Sequence, residues 1–72
     1  KDSMPESKIN KLEILNLEHN KLEFIKEFHF DGMFSLRELN LSHNQISSIE
    51  PNSFRDLINL ERLYLNNNCI FK

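Results

Sequence analysis

Apolar residues recur along this chain in a fixed phase of 24. The stretch Leu36-Arg37-Glu38-Leu39-Asn40-Leu41-Ser42-His43-Asn44-Gln45-Ile46 returns one period upstream as Leu12 to Leu22 and one period downstream as Leu60 to Ile70. Each copy reads L-x-x-L-x-L-x-x-N-x-L, with Ile closing the second and third. Inside it, Leu15-Asn16-Leu17, Leu39-Asn40-Leu41 and Leu63-Tyr64-Leu65 alternate apolar and polar residues, the pattern of a short strand with one face buried. Strands in the same phase, each followed by a long return, must lie parallel, because a tight hairpin joins only antiparallel neighbours. The phase continues into the returns through Ile25 and Ile49, Phe30 and Phe54, and Met33 and Leu57. Phe30 and Phe54 are predicted to fill the core beneath returns too irregular for a long helix, with Asp31-Gly32 and Pro51-Asn52-Ser53 as their turns. A period of this size, kept by polar as well as apolar positions, marks a solenoid in which each copy buries its apolar edge only against its neighbours.

Asn20, Asn44 and Asn68 occupy one position of the period, just after each strand. A primary amide carries two donors and an acceptor, so a column of them can satisfy backbone groups where the chain turns.

This motif, with its additional Ile, Phe and Leu or Met positions, resembles the typical 24-residue leucine-rich repeat of animal extracellular proteins, as in Toll-like receptors, Slit-type guidance proteins and small leucine-rich proteoglycans. The resemblance covers residues 9 to 72. It implies an α/β solenoid: a right-handed coil of about two and a half repeats, with a parallel sheet on the concave face and an irregular convex side. The divisions expected are a lead-in or tail of a preceding repeat at 1–11, repeats at 12–35 and 36–59, and a partial repeat at 60–72. Ile9 matches Met33 and Leu57, whereas Glu6 falls where Phe30 and Phe54 stand, so the match fades at the start.

Composition narrows the function by exclusion. Nine Lys and Arg against eleven Asp and Glu form no basic stripe, which argues against nucleic acid as a partner. No apolar run approaches the roughly 18 residues of a membrane span, so insertion into a membrane is not expected. Gly32 is the only glycine, which rules out a glycine-rich phosphate loop, and no serine stands beside a base by spacing; we expect no enzyme and no cofactor. Cys69 is the only cysteine, so no disulfide can form within the chain. It aligns with the polar residues Lys21 and Gln45 and is expected near the surface, as a small substitute or as one half of a disulfide to a cysteine elsewhere.

The variable positions of the strands form columns across the copies. Glu13, Arg37 and Glu61 make one; Ile14, Glu38 and Arg62 the next; Asn16, Asn40 and Tyr64 a third; Glu18, Ser42 and Asn66 a fourth. Most such charged positions are solvated pairs worth a few tenths of a kcal/mol. Tyr64 is the best anchor for a partner, being an aromatic with a hydroxyl on the exposed face. The candidate binding set is therefore Tyr64, Arg62, Glu38, Arg37, Asn16, His19 and His43. His19 and His43, one period apart beside Glu18, suggest a metal or a pH response, but spacing provides no third ligand, so no metal is expected. Asn40-Leu41-Ser42 is a glycosylation sequon and Asn67-Asn68-Cys69 its rare cysteine variant; a glycan on Asn40 would cover the strand face.

What the resemblance implies is a non-catalytic protein-binding module from the ectodomain of a cell-surface receptor or matrix protein, of the innate-immunity or guidance type, with a protein ligand or co-receptor as partner. An intracellular scaffold or adaptor, and a structural spacer within a larger horseshoe, remain open alternatives. Three strands of about five residues project a patch on the order of 200 Å², against about 800 Å² per partner for a standard interface, so binding would also need residues beyond them. Both ends of the solenoid expose leucines such as Leu63 and Leu65 and are expected to need flanking repeats, caps or another chain. The isolated 72-residue peptide should accordingly be unfolded or oligomeric in dilute buffer. Sedimentation and thermal melting would check this, and a monomer with a sharp cooperative transition would contradict it.

Overall fold

A computed structural model describes residues 10–70. The expectations placed on residues 1–9, including the fit of Ile9 and Glu6, and on 71–72 lie outside the described residues. Five strands follow one another among the described residues: β1 at Ile14–Asn16, β2 at Phe24–Ile25, β3 at Glu38–Asn40, β4 at Ser48–Ile49 and β5 at Arg62–Tyr64. Strands β1, β3 and β5 form a three-stranded parallel sheet in that order, and β2 pairs with β4 in a second parallel sheet. Register holds the period: Leu15 stands opposite Leu39 and Leu39 opposite Leu63, while Ile25 stands opposite Ile49. The ladder extends past the strands, with Arg37 N donating to Glu13 O at 2.8 Å, Leu17 N to Asn40 O at 2.8 Å and Leu41 N to Tyr64 O at 2.9 Å.

The β2–β4 pair was not anticipated from the sequence. Ile25 and Ile49 are legible as apolar positions, but a two-residue strand is too short to show the alternation that marks β1, β3 and β5. Its ladder begins earlier, where Gln45 N donates to Leu22 O at 3.0 Å, and ends where Glu50 N donates to Ile25 O at 2.9 Å.

Between β2 and β3, and again after β4, the chain returns through successive tight turns. His29 N donates to Lys26 O, Asp31 N to Phe28 O, Met33 N to Phe30 O and Leu36 N to Met33 O, each bond joining residues three apart. The equivalent bonds one period later run from Ser53, Arg55, Leu57 and Leu60. Gly32 has φ 82° and Asn52 φ 66°, left-handed backbone that interrupts any helix at residue types able to adopt it. The helical part of an α/β class is thus absent between these strands, where local turns satisfy the backbone instead.

The core is concentrated in the middle copy. Leu36, Leu39, Leu41 and Ile46 are fully buried, joined by Ile25, Phe30 and Leu57. Phe30 and Phe54 pack across copies with ring centroids 5.9 Å apart and planes tilted by 34°. Leu39 has a copy on each side and is 0 % exposed, whereas its equivalent Leu63 is 38 % exposed and Leu15 is half-buried. Burial of one and the same leucine position therefore depends on its neighbouring copies, as a stacked architecture requires.

Asn44 ties these layers together. Its Nδ2 donates to Leu41 O at 3.0 Å, to Ser42 O at 3.1 Å and, across the copies, to Leu17 O at 3.1 Å, while its Oδ1 accepts from Leu22 N at 3.1 Å. Asn68 repeats the arrangement, donating to Leu41 O and Leu65 O and accepting from Ile46 N at 2.9 Å. Asn20 is exposed and donates to Leu17 O and Glu18 O of its own copy. Replacing the buried Asn44 with Ala should cost the intact protein about 1–3 kcal/mol of stability through backbone groups left unpaired. Replacing its exposed neighbour Gln45 with Ala should cost less than about 0.5 kcal/mol. Denaturant titration of both variants checks the pair of values, and equal losses would contradict the role given to Asn44.

Candidate functional site

The outward side chains of the three-stranded sheet form a grid. The first row is Ile14, Glu38 and Arg62, and the second Asn16, Asn40 and Tyr64, each set in strand register. They point outward because Leu15, Leu39 and Leu63 between them point into the core, a direct result of strand alternation. The column Glu13, Arg37 and Glu61 borders the grid where the chain enters the strands.

Charges in the grid pair between adjacent strands. Arg37 Nη2 lies 2.9 Å from Glu61 Oε2, and Arg62 Nη1 lies 3.5 Å from Glu38 Oε1. The Arg37–Glu61 pair is about half exposed, so it fixes side-chain direction more than it stabilises the fold. Together with Glu13 and Ile14, these four residues line a shallow cleft of about 210 Å³.

The second row behaves differently from the sequence expectation. Asn16 Oδ1 accepts from Glu18 N at 3.0 Å, and Asn40 Oδ1 accepts from Ser42 N at 3.0 Å and from Ser42 Oγ at 2.6 Å. Both asparagines thus close a turn at the end of their strand, with the side chain standing in for a backbone carbonyl. Asn40 Nδ2 donates to Glu18 Oε1 of the preceding copy. Asn40 is consequently half-buried and committed on both ends of its amide, rather than projecting freely as the sequon suggested. Tyr64, at the same position of the third copy, is 39 % exposed. The sequence signal for this difference was an Asn two residues before Glu18 or Ser42, a spacing typical of such turns.

His19 and His43 are brought together at the end of the strands, with ring centroids 4.5 Å apart and planes within 9° of parallel. Asn67 continues the column, its Nδ2 3.2 Å from His43 Nε2, and Glu18 Oε2 lies 3.5 Å from His19 Nε2. The backbone explains the residue types: φ is 61° at His19, 56° at His43 and 60° at Asn67, in the left-handed region where His and Asn are enriched. Their type is thus accounted for by the turn they make, a requirement that sequence spacing alone did not reveal. Among the described residues no group of three His, Cys, Asp or Glu is arranged to hold a metal ion.

The return side carries its own network. Arg55 Nη1 contacts Glu27 Oε2 at 2.9 Å, Arg55 Nη2 contacts Asp31 Oδ1 at 3.7 Å, and Gly32 N donates to Asp56 Oδ2 at 2.8 Å. Cys69 is exposed with a free thiol, and its N donates to Ile46 O at 2.9 Å. No helix among the described residues is long and apolar enough to cross a membrane.

Comparison with known proteins agrees with the geometry. No curated protein matches the chain. The family model described as leucine rich repeat matches residues 10–70, the span over which register, core and Asn ladder repeat. Domains of this kind generally mediate binding between proteins, and this chain belongs to the leucine-rich repeat family.

Proposed function

We propose that the chain is part of a non-catalytic protein-recognition module, a section of a leucine-rich repeat ectodomain of an animal cell-surface receptor or matrix protein, of the innate-immunity or guidance type. In this reading residues 12–35, 36–59 and 60–72 are successive turns of a right-handed coil, about two and a half in all, following a lead-in at 1–11. The three-stranded sheet is its concave face. The observation that carries the reading is this sheet: a continuous face built from strand positions free to vary without disturbing the buried leucines. Tyr64, Arg62, Glu38 and Arg37 are its contact residues, with Asn16, His19 and His43 at its margin holding the turns that frame it. Strands of three residues reduce the patch to on the order of 100 Å², so a protein ligand or co-receptor must also touch residues beyond this sheet.

The extracellular assignment draws on the repeat subtype and on the Asn40-Leu41-Ser42 sequon. A glycoprotein form modified at Asn40 would give up one of the two Nδ2 hydrogens, one of which binds Glu18. The exposed free thiol of Cys69 favours a second reading, an intracellular scaffold or adaptor held in a reducing compartment. Mass spectrometry of the natural protein separates the two: a glycan on Asn40 or a disulfide at Cys69 supports the first, and an unmodified asparagine with a free thiol supports the second.

Replacing Tyr64 with Ala in the intact protein should weaken binding of its protein ligand by about 1–2 kcal/mol and leave the melting temperature unchanged. Arg55→Ala on the return side should leave affinity unchanged and, since its ion pairs are about half exposed, lower stability by less than about 1 kcal/mol. Calorimetry of binding and of unfolding reads both. Sensitivity at Arg55 with none at Tyr64 would move the interface off the sheet.

A further inference from the structure

Charges at the entry of the strand face do not cancel. In the column Glu13, Arg37 and Glu61, two carboxylates share one guanidinium. Arg37 is engaged by Glu61, through Nη2 at 2.9 Å and Nε at 3.2 Å, and among the described residues Glu13 has no cationic partner. Neighbouring strands are about 4.8 Å apart, so Arg37 could turn to Glu13 instead, and Glu61 would then be the carboxylate left over. The excess of one negative charge survives either arrangement. In the next column Glu38 and Arg62 neutralise each other, and the remaining member is Ile14, 62 % exposed. These six side chains line one cleft of about 210 Å³.

An unbalanced carboxylate beside an exposed branched aliphatic defines its complement. Lysine and arginine carry a cationic head on an apolar stem, and bury the stem along apolar surface while the head finds a counter-charge. An acidic side chain would be repelled here, and an apolar one would desolvate the carboxylate without compensating it. We propose that the cleft receives one lysine or arginine side chain of a protein partner, its head at the carboxylate that Arg37 leaves unpaired, Glu13 in this arrangement, and its methylenes against Ile14. The inference rests on the strand face being the protein-binding surface. Tyr64 lies two strands and two residues from Ile14, about 12 Å away, so the same partner segment can reach both ends of the face.

The test uses the intact protein that carries these repeats, immobilised and challenged with a displayed library of short random peptides, followed by affinity measurements on synthetic versions of those selected. The selected peptides should be enriched in Lys or Arg at one position. Their affinity should fall about tenfold with Glu13→Gln and equally with Glu61→Gln, since either change lets Arg37 neutralise the carboxylate that remains. Arg37→Gln should raise affinity, and Ile14→Ser should lower it about threefold through lost contact with the stem. All four positions are exposed or lie at the sheet surface, and circular dichroism should be unchanged in each variant. Peptides that depend on Tyr64 but carry no basic preference, or are indifferent to Glu13→Gln and Glu61→Gln, would overturn the cleft assignment and leave the strand-face reading standing. Peptides indifferent to Tyr64→Ala as well, or a selection that yields no binder, would overturn both.

Discussion

The carboxamide of Asn44 is the contact on which the rest of the structure depends. Strands β1 and β3 end where the chain must turn away from the sheet, and of the carbonyls at that corner Ser42 O accepts from His19 N, while Leu17 O and Leu41 O are met by asparagine side chains. One buried amide donates to three of them, and its oxygen accepts from Leu22 N of the preceding copy. Only two hydrogens serve the three carbonyls, so the bonding is shared and depends on the amide's orientation. Leu17 O receives Nδ2 from both Asn20 and Asn44, and Leu41 O from both Asn44 and Asn68. Leu17 O and Leu41 O are thereby each held by their own copy and by the next. The spacing between copies and the register within the sheet are set by the same groups.

From that constraint the other layers take their phase. Once register is held at one period, identical leucines meet across the sheet, Ile25 meets Ile49 beneath, and Phe30 meets Phe54 in the return. Variable positions are forced into columns by the same register. A charge in one copy then faces the equivalent residue of the next, and Arg37 with Glu61, or Glu38 with Arg62, pair without any loop being built for them. Surface electrostatics in such an architecture is read along columns rather than along the chain.

Much of this was legible in the sequence because it repeats. Leu39, Asn44 and Phe54 could be given places from the period alone, since each position is occupied by a like residue in another copy. What escaped was set by backbone geometry rather than by polarity. His19, His43 and Asn67 look like a variable column, but left-handed φ selects their types, and the stacked imidazoles follow from that selection. Asn16 and Asn40 look like free surface amides, but each closes a turn two residues on. The β2–β4 pair is too short to leave an alternation. Hydropathy reports burial, whereas turn chemistry depends on φ and on who accepts from whom, and a single residue letter carries little of either.

These corrections reshape the face available to a partner. With Asn40 committed to Ser42 and Glu18, and Asn16 to Glu18, the middle of the second row has few donors or acceptors left to offer. A ligand pressed against it would have to break bonds already made, at a cost comparable to those it formed. The surface able to gain from contact therefore lies toward opposite corners: the Tyr64 ring at the third strand, and Ile14 with the uncancelled carboxylate of its neighbouring column at the first. If the sheet is the binding face, as proposed, recognition is a matter of reaching two separated corners, which favours an extended polypeptide over a compact small molecule.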